Sequence, residues 1–234
     1  VDVAAFYRDL AARAAALPGV AAVGATNALP LDGGGGCSLV FAEGKPVPAG
    51  AEPPCLGTHR TAPGYFAAMG IRVRGRDTDW NATERRVGEV IVTRALAERF
   101  WPGEDPIGKG VRSNGDEPPY YRIVGVTEDV RHEGLDRPPL EGVFYPMLDM
   151  EGAGLWMPSR AMTVVVRTRS ADPAGLAPAL RRLVAAMDPE VPVANVRTME
   201  TVVARSMART AFTTLLLGVA AAMALALSAV GLYG

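Results

Sequence analysis

Hydrophobic residues along this chain follow two periods, one typical of amphipathic helices and the other of short strands. Near the N-terminus, Val3, Phe6 and Leu10 recur at helical spacing with charged residues among them, which predicts a helix that Pro18 and Gly19 end. Elsewhere, short runs rich in valine, isoleucine and threonine are bounded by glycine and proline, as strands are. We predict strands at residues 20–27, 38–42, 55–61, 71–74, 89–92, around Val111, and at 120–127, 143–147, 162–168 and 191–196.

Four later helices are predicted from the residues at their boundaries. A short helix covers residues 63–69, and Thr93 is placed to cap another over residues 94–100. Asp172 can cap a third helix and Thr198 a fourth, because a side-chain oxygen at this position accepts a hydrogen bond from an amide of the first turn. Helices and strands therefore mix along the chain, which predicts an α+β fold.

The last helix begins with an apolar stripe on one side. Met199, Val202, Val203 and Met207 share this face, and arginines lie elsewhere on the helix. This pattern predicts an amphipathic stalk that packs on the preceding domain. These four residues are the site residues that we select, as a surface that couples the helix to the domain.

Beyond the stripe, residues 210–234 carry no charged side chain. About 20 consecutive apolar residues are enough for a helix to cross a bilayer. We therefore expect an extracytoplasmic domain that is cut off inside a C-terminal transmembrane helix, which continues from the stalk. A helix buried in a large soluble core can also be apolar on every side, and this alternative stays open.

Composition limits the size and the partners of the domain. Without the apolar tail about 210 of the 234 residues remain, which suits one large domain or two small ones. Nineteen prolines and 26 glycines indicate many turns. The net charge of −1 gives no electrostatic support for binding to nucleic acid.

The two cysteines leave two possibilities. Outside the cytoplasm, Cys37 and Cys55 can form one disulfide. Two free thiols are the alternative, because the sequence does not show whether the cysteines lie within bonding distance.

Few residues indicate catalysis or a bound cofactor. The segment GEDPIGK at residues 103–109 has the spacing of a phosphate-binding loop. However, it follows a helix, Gly110 stands in place of the required serine or threonine, and no helix is predicted after it. Asp129, His132 and Glu133 form too weak a ligand set for a metal site. We therefore predict no enzyme, no catalytic residue, no cofactor and no metal.

Several sequence blocks, in order along the chain, resemble those of the MacB/FtsX-type permeases of ABC transporters. They are PGYFAAMGI at 63–71, GRD at 75–77, VIVTRALAERFWPGEDPIGKGVR at 90–112, YRIVGVTEDVRHEGL at 121–135, VFYPM at 143–147 and PVANVRTMETVVARSM at 192–207. The C-terminal LLLGVAAAMALALSAVGLYG resembles the start of the FtsX-type membrane segment. Each block is weak by itself, but together they make the resemblance specific. The nearest subgroup is that of the large acidobacterial permeases, which are duplicated in some cases.

The resemblance implies a periplasmic core domain, at residues 1–208, of a permease in the cell (inner) membrane. Residues 199–234 would be the stalk and the truncated transmembrane helix. Because both membrane connections must leave from the same side, we expect one lobe from residues 1–55 and 162–197, and another from residues 56–149. The implied partners are the membrane, a separate cytosolic ABC ATPase, a second permease copy or internal duplicate, and a periplasmic adaptor.

The function that the resemblance implies is the coupling of cytosolic ATP-driven motion to export or to mechanical signalling outside the membrane. A membrane-anchored binding or sensor domain without transport is the alternative. The chain departs from the family pattern at Thr78, where phenylalanine is expected, and at Thr93 and Arg94, where Asn-Glu is frequent. The two cysteines are not part of the family pattern.

Overall fold

A computed structural model describes residues 2–33, 35–81, 88–114, 120–148 and 161–233, without the side chains of residues 209–216, 226 and 229. The α+β class is confirmed. The helices are α1 (Val3–Ala15), α2 (Tyr65–Met69), α3 (Arg94–Phe100), α4 (Ala177–Met187) and α5 (Met199–Tyr233). The strands are β1 (Val20–Thr26), β2 (Gly36–Ala42), β3 (Cys55–Thr61), β4 (Val73–Gly75), β5 (Glu89–Thr93), β6 (Gly110–Ser113), β7 (Tyr121–Thr127), β8 (Gly142–Pro146) and β9 (Thr163–Thr168).

In the part of the chain that the structure describes, the strands form one sheet in the order β2-β6-β7-β5-β8-β3-β1-β9, with β4 beside β7. Strand β2 also pairs with β3, with Gly36 opposite Thr58. The six strands from β2 to β3 in this order therefore close into a ring. Strands β1 and β9 extend from the ring as an antiparallel pair that places Thr26 opposite Thr163.

Two apolar cores stabilise this arrangement. The larger core takes residues from all six strands of the ring and from α3, with Val92, Leu96 and Tyr145 fully buried. The second core lies under α2 and contains Tyr65 and Phe66. Burial of apolar surface is the main favourable contribution to folding, so these cores fix where α2 and α3 lie on the sheet.

The pairing of β1 with β9 joins the first and last thirds of the chain. Strand β2 instead pairs with β3 and β6 of the middle segment, so the sheet is continuous between the two predicted lobes. The division into lobes stays a prediction. Residues 82–87, 115–119 and 149 of the second predicted lobe lie outside the described residues.

Cys37 and Cys55 form a disulfide, and their Cα atoms lie 5.2 Å apart. This result decides between the two possibilities that the sequence left open. The bond joins β2 to β3, the pair that closes the ring.

The predicted strand at residues 191–196 is wrong. This segment has no regular secondary structure, and most of it is exposed. Asn195 has a φ of 54°, in the left-handed region that interrupts an extended strand. Pro192 cannot donate a backbone hydrogen bond to a neighbouring strand.

Helix α5 runs without interruption from Met199 to Tyr233, which fits the predicted continuity of the stalk with the segment that follows it. The apolar side chains described from Leu217 onward are exposed, and Leu232 reaches 79%. These residues therefore do not form a helix that is buried in the core of the domain. No helix within the described residues has the length and hydrophobicity needed to cross a membrane. The predicted span at residues 210–234 includes side chains that lie outside the description.

Candidate coupling surface at the start of the C-terminal helix

The first turn of α5 is capped as the sequence predicts. The amide of Thr201 donates a hydrogen bond to Oγ1 of Thr198 at 3.3 Å. Glu200 lies in the first turn, where its negative charge interacts favourably with the helix dipole. These local interactions define where the helix begins, and hence which of its side chains face the domain.

The four predicted stalk residues differ in how closely they contact the domain. Met199 packs against the core under α2, and Val202 is only 2% exposed. Val203 is partly buried. Met207 is 49% exposed, so the contact with the domain weakens toward it. Their role in coupling stays a proposal.

The surface that receives Met199 is built on α2. This helix lies so close to β1 that a Cβ added at Gly24 would come within 2.3 Å of the Tyr65 backbone. Gly64, which precedes α2, has a φ of 85°, a conformation that glycine adopts without steric cost. Only glycines at these two positions allow α2 to pack this closely against the sheet.

Asp77 connects two of the sequence blocks. Its carboxylate accepts a hydrogen bond from the Thr78 amide at 2.7 Å, and one from the backbone of Gly64. Burial raises the pKa of Asp77, and the hydrogen bonds from Thr78 and Gly64 oppose this change. The GRD block therefore holds the start of α2, which explains why it accompanies the PGYFAAMGI block.

An ion pair that the sequence analysis missed lies beside the helix start. Arg197 contacts Asp32 in the loop after β1, and their side chains are 24% and 25% exposed. The loop also contributes Leu29 to the core that Met199 contacts. The helix start is thus attached at two places, the core under α2 and the loop after β1. The only sequence signal for this pair was an arginine directly before the capping Thr198.

The segment that resembles a phosphate-binding loop forms a turn. Strand β6 begins at Gly110, where such a loop requires a helix. The Lys109 ammonium group pairs with Glu104 and lies 5.5 Å from the centre of the Trp101 ring. Lys109 is therefore engaged in structural contacts.

The residues considered for a metal site also have structural contacts. Asp129 pairs with Arg94 and accepts a hydrogen bond from the Ala95 amide at 3.1 Å, at the start of α3. Across the described ranges, no group of three or more His, Cys, Asp or Glu side chains is placed to hold a metal ion.

Comparisons with known proteins agree with this architecture. The family described as MacB-like periplasmic core domain matches residues 3–183. The periplasmic region of MacB from Actinobacillus actinomycetemcomitans is similar in structure, with a TM-score of 0.54 and 13% identity over 77% of this chain and 73% of that one. The extracellular domain of the ABC-type transporter YknZ from Gram-positive bacteria gives a TM-score of 0.50 and 16% identity, over 77% of this chain and 83% of that one.

At these identities the two solved structures support the fold, and the family match covers most of the chain. No curated protein sequence matches. The chain therefore belongs to the family of MacB-like periplasmic core domains, the extracytoplasmic domains of ABC transporter permeases.

Proposed function

We propose that this domain couples ATP-driven motion in the cytosol to export, or to mechanical signalling, outside the membrane. The observation that carries the proposal is the attachment of α5: Met199 of its first turn packs on the core under α2, Val202 is buried, and the same helix continues to Tyr233. A helix without glycine or proline between Met199 and Leu217 has no position at which it bends easily. Motion of its far end would therefore move the domain.

In this proposal the far end of α5 lies in the inner membrane. The uncharged segment at residues 210–234 and the exposed apolar side chains from Leu217 onward support this position, because exposed apolar surface of this extent indicates contact with lipid or protein. ATP hydrolysis would take place on a separate cytosolic ABC ATPase. A second permease copy or internal duplicate, and a periplasmic adaptor, would complete the assembly.

The force would reach the domain at two points. Met199 would press on the core under α2, next to the buried Val202, and Arg197 would pull on the loop after β1 through Asp32. The first contact is apolar and closely packed, so it resists displacement in any direction. The second is an ion pair directly before the helix start, and it would resist separation of the helix from the loop.

The test inserts Gly-Gly after Arg205 in the full permease, reconstituted with its ATPase. Hydrogen exchange of α2 is measured in the nucleotide-free state and in the state trapped with ATP and vanadate. We expect the unmodified permease to show a nucleotide-dependent change in α2 exchange, and the insertion to abolish it, because each glycine costs about 1 kcal/mol in a helix. This readout requires no knowledge of the transported substrate.

The matched control inserts Ala-Ala at the same position, which adds the same length but keeps the helix. Membrane insertion and the melting temperature of the domain should be unchanged in both variants. If the nucleotide-dependent change survives the Gly-Gly insertion, α5 is only a tether. The anchored binding or sensor domain is then the better interpretation.

A further inference from the structure

Two histidines form a buried pair that the proposed function does not use. His59 of β3 is 2% exposed, and its ring centre lies 4.3 Å from that of His132, which follows β7. Phe144 of β8 lies next to His59, with its ring centre at 5.4 Å. Within the described residues, both ring nitrogens of His59 and Nε2 of His132 have no hydrogen-bond partner. Most buried polar side-chain atoms do have such a partner, so the pair calls for an explanation.

The loop of residues 27–33 is attached to this pair. The amide of Leu31 donates a hydrogen bond to the His132 carbonyl at 2.8 Å. Just after this loop, a Cβ added at Gly35 would lie 3.4 Å from Cε1 of His59. Leu31 has a φ of 65°, a conformation that costs a leucine on the order of 1 kcal/mol and needs support from its surroundings. The loop is therefore strained where the histidine pair supports it.

The next residue of the loop reaches the helix start. Asp32 pairs with Arg197, directly before the cap of α5. One short segment thus contacts His132 through a backbone hydrogen bond and the base of α5 through an ion pair. A change at the histidines that displaced Leu31 would also displace Asp32.

Burial favours the neutral form of both histidines. Burial lowers the pKa of His59 to about 3, and the charge of His132 lowers it further. Burial also lowers the pKa of His132, and Glu133 on the same loop opposes this change. Of the packed elements, the loop of residues 27–33 contributes Asp32, which pairs with Arg197, and β8 contributes the uncharged Phe144. On β3, the neighbouring Arg60 is itself buried and has its own polar interactions.

We propose that the His59–His132 pair is an acid-sensitive support for the loop of residues 27–33, and that protonation of the pair releases the loop together with the Asp32–Arg197 contact. Release of the loop is independent of the proposed function. Its effect on coupling rests on the proposed function, because it acts through the base of α5.

The direction of the effect follows from proton binding. In the closed form, with the loop of residues 27–33 in place, burial lowers the pKa of His59 to about 3, whereas the pKa of an exposed histidine is near 6.5. The open form therefore binds more protons, so the closed form loses stability as the pH falls below 6.5 toward 3. From His59 alone, the open fraction grows about 30-fold between pH 7.5 and pH 5.

The test measures hydrogen exchange of residues 28–33 in the full chain in detergent, at pH 7.5 and pH 5, corrected for the intrinsic pH dependence of exchange. We expect the open fraction of the loop in the wild type to be about 30-fold higher, or more, at pH 5 than at pH 7.5. We expect no pH dependence in the double variant His59→Phe/His132→Phe, which keeps two planar aromatic rings that cannot be protonated. Single variants should each keep part of the pH dependence.

Two results would overturn the inference: equal opening at both pH values in the wild type, or unchanged pH dependence in the double variant. If the double variant does not fold, NMR titration of the wild-type imidazoles tests the inference instead. A measured His59 pKa near 6.5 would overturn it, because burial would then not disfavour protonation of the pair. In the permease with its ATPase, the nucleotide-dependent exchange of α2 should weaken at pH 5 in the wild type but not in the double variant. If the loop opens in acid while the Gly-Gly insertion leaves coupling intact, the proposed function fails and the acid-sensitive support stands.

Discussion

Val202 is the only described residue of α5 that is fully buried. Its position, one turn after the capped start, places its methyl groups against the domain, whereas Met207 further along is half exposed. Helical spacing placed these residues on one face. It did not show how far the surface of the domain extends along that face, because this extent depends on elements that are distant in the sequence.

This difference predicts unequal effects of two substitutions. Val202→Ala should lower the free energy of unfolding by about 2 kcal/mol, because it removes two buried methyl groups and leaves a cavity. Met207→Ala is the matched control and should change it by no more than about 0.5 kcal/mol. Urea unfolding of the full chain in detergent, followed by tryptophan fluorescence, measures both. Equal effects of the two substitutions would show that the contact surface has been assigned wrongly.

The histidines show what residue patterns cannot predict. In the run CLGTHRT, His59 reads as a polar position of a half-exposed strand. It is buried because His132 and Phe144 cover it, and both come from parts of the chain more than 70 residues away. A single sequence carries no signal for such a pairing.

At the scale of elements, local signals predicted the helices and most strands, because caps and alternation act over a few residues. Strands such as 55–61 were predicted with the boundaries that the structure has. The prediction for residues 191–196 failed because Val191 and Val193 alternate as in a strand, although none of the described strands pairs with this segment. The order of strands was beyond prediction, since parallel pairs such as β3 with β8 join distant segments.

The attachment of α5 to the loop after β1 can be measured in a double-mutant cycle. Asp32→Ala and Arg197→Ala should show a coupling energy of about 1 kcal/mol, because the pair is largely shielded from water and joins distant segments. The control cycle uses Arg99→Ala and Glu141→Ala. This ion pair is more exposed, with 46% of the Arg99 side chain and 35% of the Glu141 side chain accessible to solvent. Its coupling energy should be below about 0.5 kcal/mol. Chemical unfolding of the four single variants, the two double variants and the wild type gives both coupling energies. If the effects of Asp32→Ala and Arg197→Ala are additive, this ion pair does not contribute to the attachment of α5 in the proposed function.

At the scale of the whole molecule, the ring of six strands depends on the pairing of β2 with β3, which the disulfide crosses. A sequence separation of 18 residues corresponds to about 3 kcal/mol of stabilisation in the chain-entropy description. The variant Cys37→Ser/Cys55→Ser should therefore unfold at lower urea concentration, with a free energy reduced by about that amount. Reduction of the wild type with dithiothreitol should give the same loss and should leave the variant unaffected. A variant as stable as the oxidised wild type would show that the ring closes without this bond.

Helix α5 also has a mechanical consequence that follows from its dimensions alone. Its 35 residues span about 50 Å at 1.5 Å per residue, whereas the part that packs on the domain, from Met199 to Val203, spans only about 6 Å. In the proposed function the helix would act as a lever with arms in a ratio of about eight to one, pivoting at its capped first turn. A tilt of about 10° that displaces the far end by about 9 Å moves the inserted side chains by about 1 Å. Large movements of the distal end would therefore produce small displacements, with larger force, where the helix contacts the domain. Displacements of this size are enough for packed side chains to change from one arrangement to another.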